Sequence, residues 1–177
     1  GGYSINSDTI KALNEVGILI DSSMNSIHGN SKITWSDNLI IEKNGIIELP
    51  VTFCKLAFGA SFYKSKIIKI YEKKLKTDLD TLNLRALEDF VKISVDKNIK
   101  IMNLFMHSYS LIDYDYYYRK FKPGYKDEAK LIKIIENTLD NKSVKWASCK
   151  SFLKDYQSNK EQFKGVDFVP TIINNKN

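Results

Sequence analysis

The spacing of apolar residues changes period several times along the chain, and each change marks a predicted element. In "DTIKALNEV", Ile10, Leu13 and Val16 recur at helical spacing, with Ser7 ahead of them as a good N-cap and Gly17 behind them as a stop. "ILID" then reads as a short strand ending at Asp21. A polar, irregular segment, "SSMNSIHGNSKITWSD", leads to "NLIIEKNGIIELP", where Asn44-Gly45 between two apolar runs predicts a β-hairpin. From about Ala60 to Lys76 the pattern is helical, and "DTLNLRALEDFVKISVDKN" sets Leu84, Leu87, Val91 and Val95 along one face of a further helix. The run from Ile99 to Met106, "IKIMNLFM", holds no helix breaker and reads as a buried strand that delivers His107. After a tyrosine-rich loop, "DEAKLIKIIENTLDN" is an amphipathic helix, "SVKWAS" a short strand and "SFLKDYQ" a final helix, and residues 161–177 form a polar tail.

Alternation of helix and strand predicts an α/β fold with parallel pairing and right-handed crossovers, the hairpin being an insertion on that frame. Two strands that end in polar residues then bring Asp21 and His107 to one edge of the sheet, where α/β proteins build their sites. Each residue also has a plainer reading. A lone histidine near a core is often a hydrogen-bonded structural residue, and a strand-end carboxylate often caps nearby N–H groups.

Composition narrows the picture. The 177 residues, 43% of them hydrophobic, suffice for one core and are too few for two ordinary domains. The formal charge of +6 comes from 27 Lys and Arg against 21 Asp and Glu, with lysines spread along the whole length as on a solvated surface. Tyrosines mix with Arg119, Lys120, Lys122 and Lys126 between Tyr109 and Lys126. A solvated loop explains this first and a sugar-stacking rim second; a nucleic-acid partner is not expected. Cys54 and Cys149 lie far apart without metal-ligand spacing, so neither a disulfide framework nor a cysteine zinc site is expected, and free thiols favour a reducing compartment. Cys149 has no histidine base beside it in sequence, which leaves nucleophilic catalysis without support. Asp113 and Asp115 could hold a cation with His107, although such spacing is common by chance, and His28, in a Ser, Asn and Gly-rich loop, reads as solvent-exposed. Trp35 and Trp146 read as core or cleft-wall aromatics. No apolar run reaches the roughly 18 residues of a membrane span, and "GGYSINSD" lacks the basic start and apolar centre of a signal peptide. Cytoplasm and cell envelope both stay open, as does the oligomeric state.

Two segments carry a resemblance. "GGYSINSDTIKALNEVGILIDSSM" resembles the part of polysaccharide deacetylases that follows an arginine in the pattern Arg-Ala-Gly-x-aromatic-Ser, continues through a helix and reaches Gly-Ile-x-x-Asp-Ser-Ser. "NLFMHSYSL" is similar to the last motif of that family, in which a strand delivers a histidine. The family, of the nodulation-protein-B homology type, consists of carbohydrate esterases with a distorted (β/α) barrel. The resemblance spans Gly1 to about Tyr156 and implies that residues 1–160 are the C-terminal portion of one such domain, carrying a β-hairpin insertion.

What the family implies falls on particular positions. Its last-motif histidine, here His107, is the general acid that protonates the leaving sugar amine. The backbone N–H of Gly2 or Tyr3 would face the tetrahedral oxyanion, and Phe105 stands where the family has a pocket leucine. Asp21 and Ser22 would line the substrate site, with Tyr109 on its rim. The implied substrate is an N-acetylated sugar or glycan. The family also uses an aspartate pair and an HxxxH pair around a divalent metal such as zinc, and this chain has only His28 and His107. The metal is therefore expected only in a complete protein with an upstream portion, and the chain alone offers no ligand set with the usual nitrogen and carboxylate count and is expected to be inactive. A catalytically dead relative, acting as a non-catalytic carbohydrate-binding or interaction module on the same fold, is the alternative.

Overall fold

The computed structural model describes residues 5–25, 37–58, 62–63, 66–67, 71–78, 82–107, 113–115, 120–122 and 128–173. The first helix, α1 (Ser7–Glu15), is capped by Asn6, one residue before the expected Ser7: the Asn6 side chain accepts from the Thr9 N–H at 2.8 Å. Gly17 stops it in a left-handed conformation at φ 74°. Strand β1 (Ile20–Asp21) follows and pairs in parallel with β3 (Ile46–Glu48), which itself pairs antiparallel with β2 (Ile41–Lys43). Asn44 and Gly45 join β2 to β3 with φ values of 51° and 79°, the two positive angles that a tight hairpin needs to match strand twist.

The stretch expected to be helical from about Ala60 to Lys76 is strand wherever it is described. Strand β4 (Phe53–Phe58) pairs along its full length with the antiparallel β7 (Tyr71–Lys76), and the short β5 (Phe62–Tyr63) and β6 (Lys66–Ile67) pair between them in sequence. Lysines supplied the helical look, but tyrosine, phenylalanine and isoleucine dominate the remainder and suit a pleated surface. A second difference lies in 161–177, expected to be a tail. Its strand β10 (Thr171–Ile173) pairs in parallel with β4 and buries Ile172 to 1% exposure, giving the order β10-β4-β7. The Lys55 N–H also donates to the Pro170 carbonyl at 2.7 Å.

Helix α2 (Leu84–Asp96), capped by Asn83, and helix α3 (Glu128–Leu139) cover one face of this sheet. Cys54, Leu56 and Ile172 from the sheet meet Leu87, Phe90 and Val91 of α2 and Ile134 of α3 in the main core. Helix α4 (Cys149–Ser158), capped by Ser148, packs Phe152 and Tyr156 on Ile47 and Leu49, while Ile10 of α1 closes on Ile46 from elsewhere on the hairpin. All three residues of β3 are buried, so this strand is covered on both faces.

The remaining strands, β8 (Asp113–Asp115) and β9 (Lys120–Lys122), form an antiparallel pair. Two segments expected to be strands differ. Residues 143–148 form none, and the segment 99–107 is mostly half-buried and, among the described residues, is joined to the end of β7 by a parallel bridge between Phe105 and Asp78. Its neighbours explain the difference. The Asn103 N–H is taken by the Thr52 hydroxyl at 2.7 Å, a side chain standing where a ladder carbonyl would be, while the Phe105 N–H finds a strand-type carbonyl, that of Thr77 at 2.8 Å. Among the described residues, helices and small mixed sheets alternate, and no helix is long and apolar enough to cross a membrane.

Candidate functional site

Three strand ends and the extended segment converge. β1 ends at Asp21, β3 at Glu48, β7 runs out into Thr77 and Asp78, and 99–107 passes beside them. Asp21 holds the turn that leaves β1: its carboxylate accepts from the Ser23 hydroxyl at 2.9 Å and from the Ser23 N–H at 3.3 Å. This is the local capping that short acidic side chains favour after a strand. Ser22 is exposed, and its hydroxyl accepts from the Asn103 side-chain amide at 2.7 Å. The two segments that carry the family resemblance, about 80 residues apart in sequence, therefore touch. Asn103 is locked in turn by its N–H to Thr52, by its amide approaching the Leu49 carbonyl at 3.5 Å, and by its carbonyl accepting from the Thr77 hydroxyl at 3.4 Å.

Glu48 stands behind Asp21 and is fully buried. One carboxyl oxygen accepts from the Met24 N–H at 2.8 Å, and no donor reaches the other, Oε2. Burial raises its pKa from 4.5 to about 8, opposed by the Met24 hydrogen bond and reinforced by Asp21, both as an acceptor for a proton on Glu48 and as a like charge. Two carboxylates cannot hydrogen-bond each other without a proton. Glu48 carrying that proton satisfies the orphaned oxygen, so at neutral pH it is a neutral acid beside Asp21.

His107, half-buried, lies at the far end of the same segment. Its imidazole meets the Phe105 ring edge-on, with centroids 4.8 Å apart and planes at 88°. Lys76 places its ammonium 3.9 Å from the centre of the Phe105 ring and forms an ion pair with the buried Asp78 at 2.8 Å. A groove of about 560 Å³ follows Ile99 to Leu104 between α2 and residues 143–147, with Trp146 on its wall. Trp146 is 47% exposed, and its indole N–H donates to the Thr138 hydroxyl at 2.9 Å, so it is a cleft-wall aromatic. Two other hollows, one beside α1 and one between α2 and α3, touch none of the residues singled out in the sequence for the site.

Ser22 is thus joined to Asn103, four residues before His107, Asp21 hydrogen-bonds Ser23 and not Asn103, and Phe105 adjoins His107. Gly2, Tyr3, Tyr109, His28 and Trp35 lie outside the described residues. Asp113 and Asp115 belong to β8. Cys54 is buried, with its thiol pushed up to about 12, which suits a core residue and not a nucleophile, and Cys149 is exposed at the start of α4. Sequence reasoning missed Glu48, Asn103, Lys76 and Asp78. Glu48 had a signal, a carboxylate inside the otherwise apolar "GIIELP", as had Asn103 inside "IKIMNLFM"; Lys76 and Asp78 had none while their stretch read as helix.

Among the described residues, no three His, Cys, Asp or Glu side chains group so as to hold a metal ion. Calorimetric titration of the 177-residue protein with zinc is accordingly expected to give only weak binding, and a tight one-to-one isotherm would contradict this. Comparison with family models, with curated proteins and with solved structures gives no match.

Proposed function

We propose that the chain is the C-terminal portion of a carbohydrate deacetylase of the polysaccharide-deacetylase type, part of a distorted (β/α) barrel, which hydrolyses the amide of an N-acetylated sugar or glycan. The observation that carries the reading is the hydrogen bond between Ser22 and Asn103, because it joins the "ILIDSSM" turn to the segment that presents His107. Residues that resemble two separate motifs of one family are expected to meet if they serve one site.

In this reading His107 is the general acid. An amide nitrogen leaves poorly as an anion, so a proton must reach it as the C–N bond breaks, and an imidazole at the mouth of a cleft is suited to give one. Asp21 and Ser22 form the wall of the substrate site, the Gly2 or Tyr3 backbone N–H faces the developing oxyanion, and Tyr109 and Phe105 border the sugar. Among the described residues no group of side chains could hold a metal ion. The divalent ion and base aspartate of the proposed reaction belong to the complete protein. The test is acetate release from oligomers of N-acetylglucosamine by that complete protein. Release of acetate with an equal amount of free amine is expected. Binding of the oligomer without any acetate would replace the reading by a carbohydrate-binding module.

A further inference from the structure

Phe105 stands where the resemblance implies leucine, and its ring makes contacts that leucine could not. Asp78, 3% exposed, holds the Lys76 ammonium at 2.8 Å; that ammonium sits 3.9 Å from the ring centre; and the ring meets His107 edge-on at 4.8 Å. The backbone holds Asp78 beside Phe105, since Phe105 bridges Asp78 in parallel and its N–H donates to Thr77. A cation over an aromatic face is attracted by the ring quadrupole, more strongly when partly desolvated, and the Lys76 side chain is only 27% exposed. An edge-on aromatic contact in turn has a preferred direction, which an aliphatic contact lacks.

We propose that Lys76 is a positioning residue for His107, acting through Phe105: the ammonium anchored on Asp78 holds the Phe105 ring, and the ring sets the direction of the imidazole. Lys76 and Phe105 are then a matched pair, which gives the departure from leucine a physical purpose. The inference rests on reading His107 as the reacting acid and adds the device that orients it.

The experiment is carbon-proton NMR of the His107 ring in the full 177-residue chain, with His28→Ala used to separate the two histidines. Lys76→Met combined with Asp78→Asn removes the cation without stranding a buried carboxylate, and it should shift and broaden the His107 signals. Lys76→Arg, which keeps a cation on the ring, should restore wild-type signals. In a Phe105→Leu background the same Lys76 and Asp78 changes should have no further effect, because the connecting ring is gone. Should the double variant fail to fold, Lys76→Gln keeps a donor for Asp78 without the charge and should give the same shift. A His107 spectrum unchanged by loss of the cation, or a Lys76 effect that persists without Phe105, would overturn the proposal. In the complete enzyme the cation-less variants should lower kcat about 10 to 10²-fold with KM little changed. If the wild type releases no acetate, the deacetylase reading fails, while the ring signals still decide whether Lys76 positions His107.

Discussion

In the proposed deacetylase, His107→Ala, folded and metal-loaded, is expected to lose deacetylation by about 10² to 10⁴-fold in kcat, with a much smaller change in KM. The size follows from the task. Without a positioned acid the nitrogen must leave with a proton taken from water, whereas substrate affinity comes from the sugar contacts of the cleft. His28→Ala is the matched control and should keep the wild-type rate. A steady-state assay of acetate release, with circular dichroism to check folding, measures both variants. Unchanged turnover without His107 would return that residue to a structural role.

The second large effect is on stability. Glu48 is buried with its pKa raised from 4.5 to about 8, so between these values the folded protein keeps a proton that the unfolded chain releases. The sign follows directly: the contribution of Glu48 is fully present below about pH 4.5, declines as pH rises, and is gone above about pH 8. At about 1.4 kcal/mol per pH unit the full swing approaches 5 kcal/mol, a large share of the stability of a typical domain. Urea unfolding between pH 5 and 8 should show the decline. Glu48→Gln keeps an acceptor for the Met24 N–H and puts a donor towards Asp21, and it should flatten the profile and leave the variant more stable than wild type at pH 8. An equal slope in both proteins would mean that Glu48 is ionised in the fold and that its orphaned oxygen is satisfied in some other way.

The parts of the fold that were legible in the sequence are those whose signal is local. The Asn44-Gly45 turn, the Gly17 stop and the apolar faces of α2, α3 and α4 each depend on residues within one or two turns of chain, and each is found where its pattern places it. What misled was pairing at a distance. β7 reads Tyr-Glu-Lys-Lys-Leu-Lys: Leu75 turns to the core from one face, while Lys74 on the other pairs with Asp37, and Lys55 of the neighbouring β4 pairs with Glu72. Long charged side chains at such positions mimic a helix surface. β10 is three residues long, and only its parallel contact with β4 makes it a strand. The apolar run before His107 reads as a buried strand, but the Thr52 hydroxyl takes the Asn103 N–H in place of a ladder carbonyl, and the run is mostly half-buried and outside the named strands. At the proposed site, Asp21, Ser22 and Phe105 were singled out through resemblance, and the structure sets Ser22 against Asn103 and Phe105 against His107. Glu48, a carboxylate inside an apolar run, was passed over because the alternation rule assigns a strand carboxylate to the solvent side, and β3 has no solvent side.

The claim that the β1 turn and the His107 segment build one carbohydrate site is tested most directly by NMR titration of the 177-residue protein with oligomers of N-acetylglucosamine. The reporters are the backbone amides of Ser22 and Ser23, the side-chain amide of Asn103 and the ring of His107. The account predicts that all of them shift together and saturate along a single binding curve, with the indole of Trp146 following only if the sugar extends into the groove beside Ile99 to Leu104. Shifts at only one of the two segments, or at neither, would contradict it.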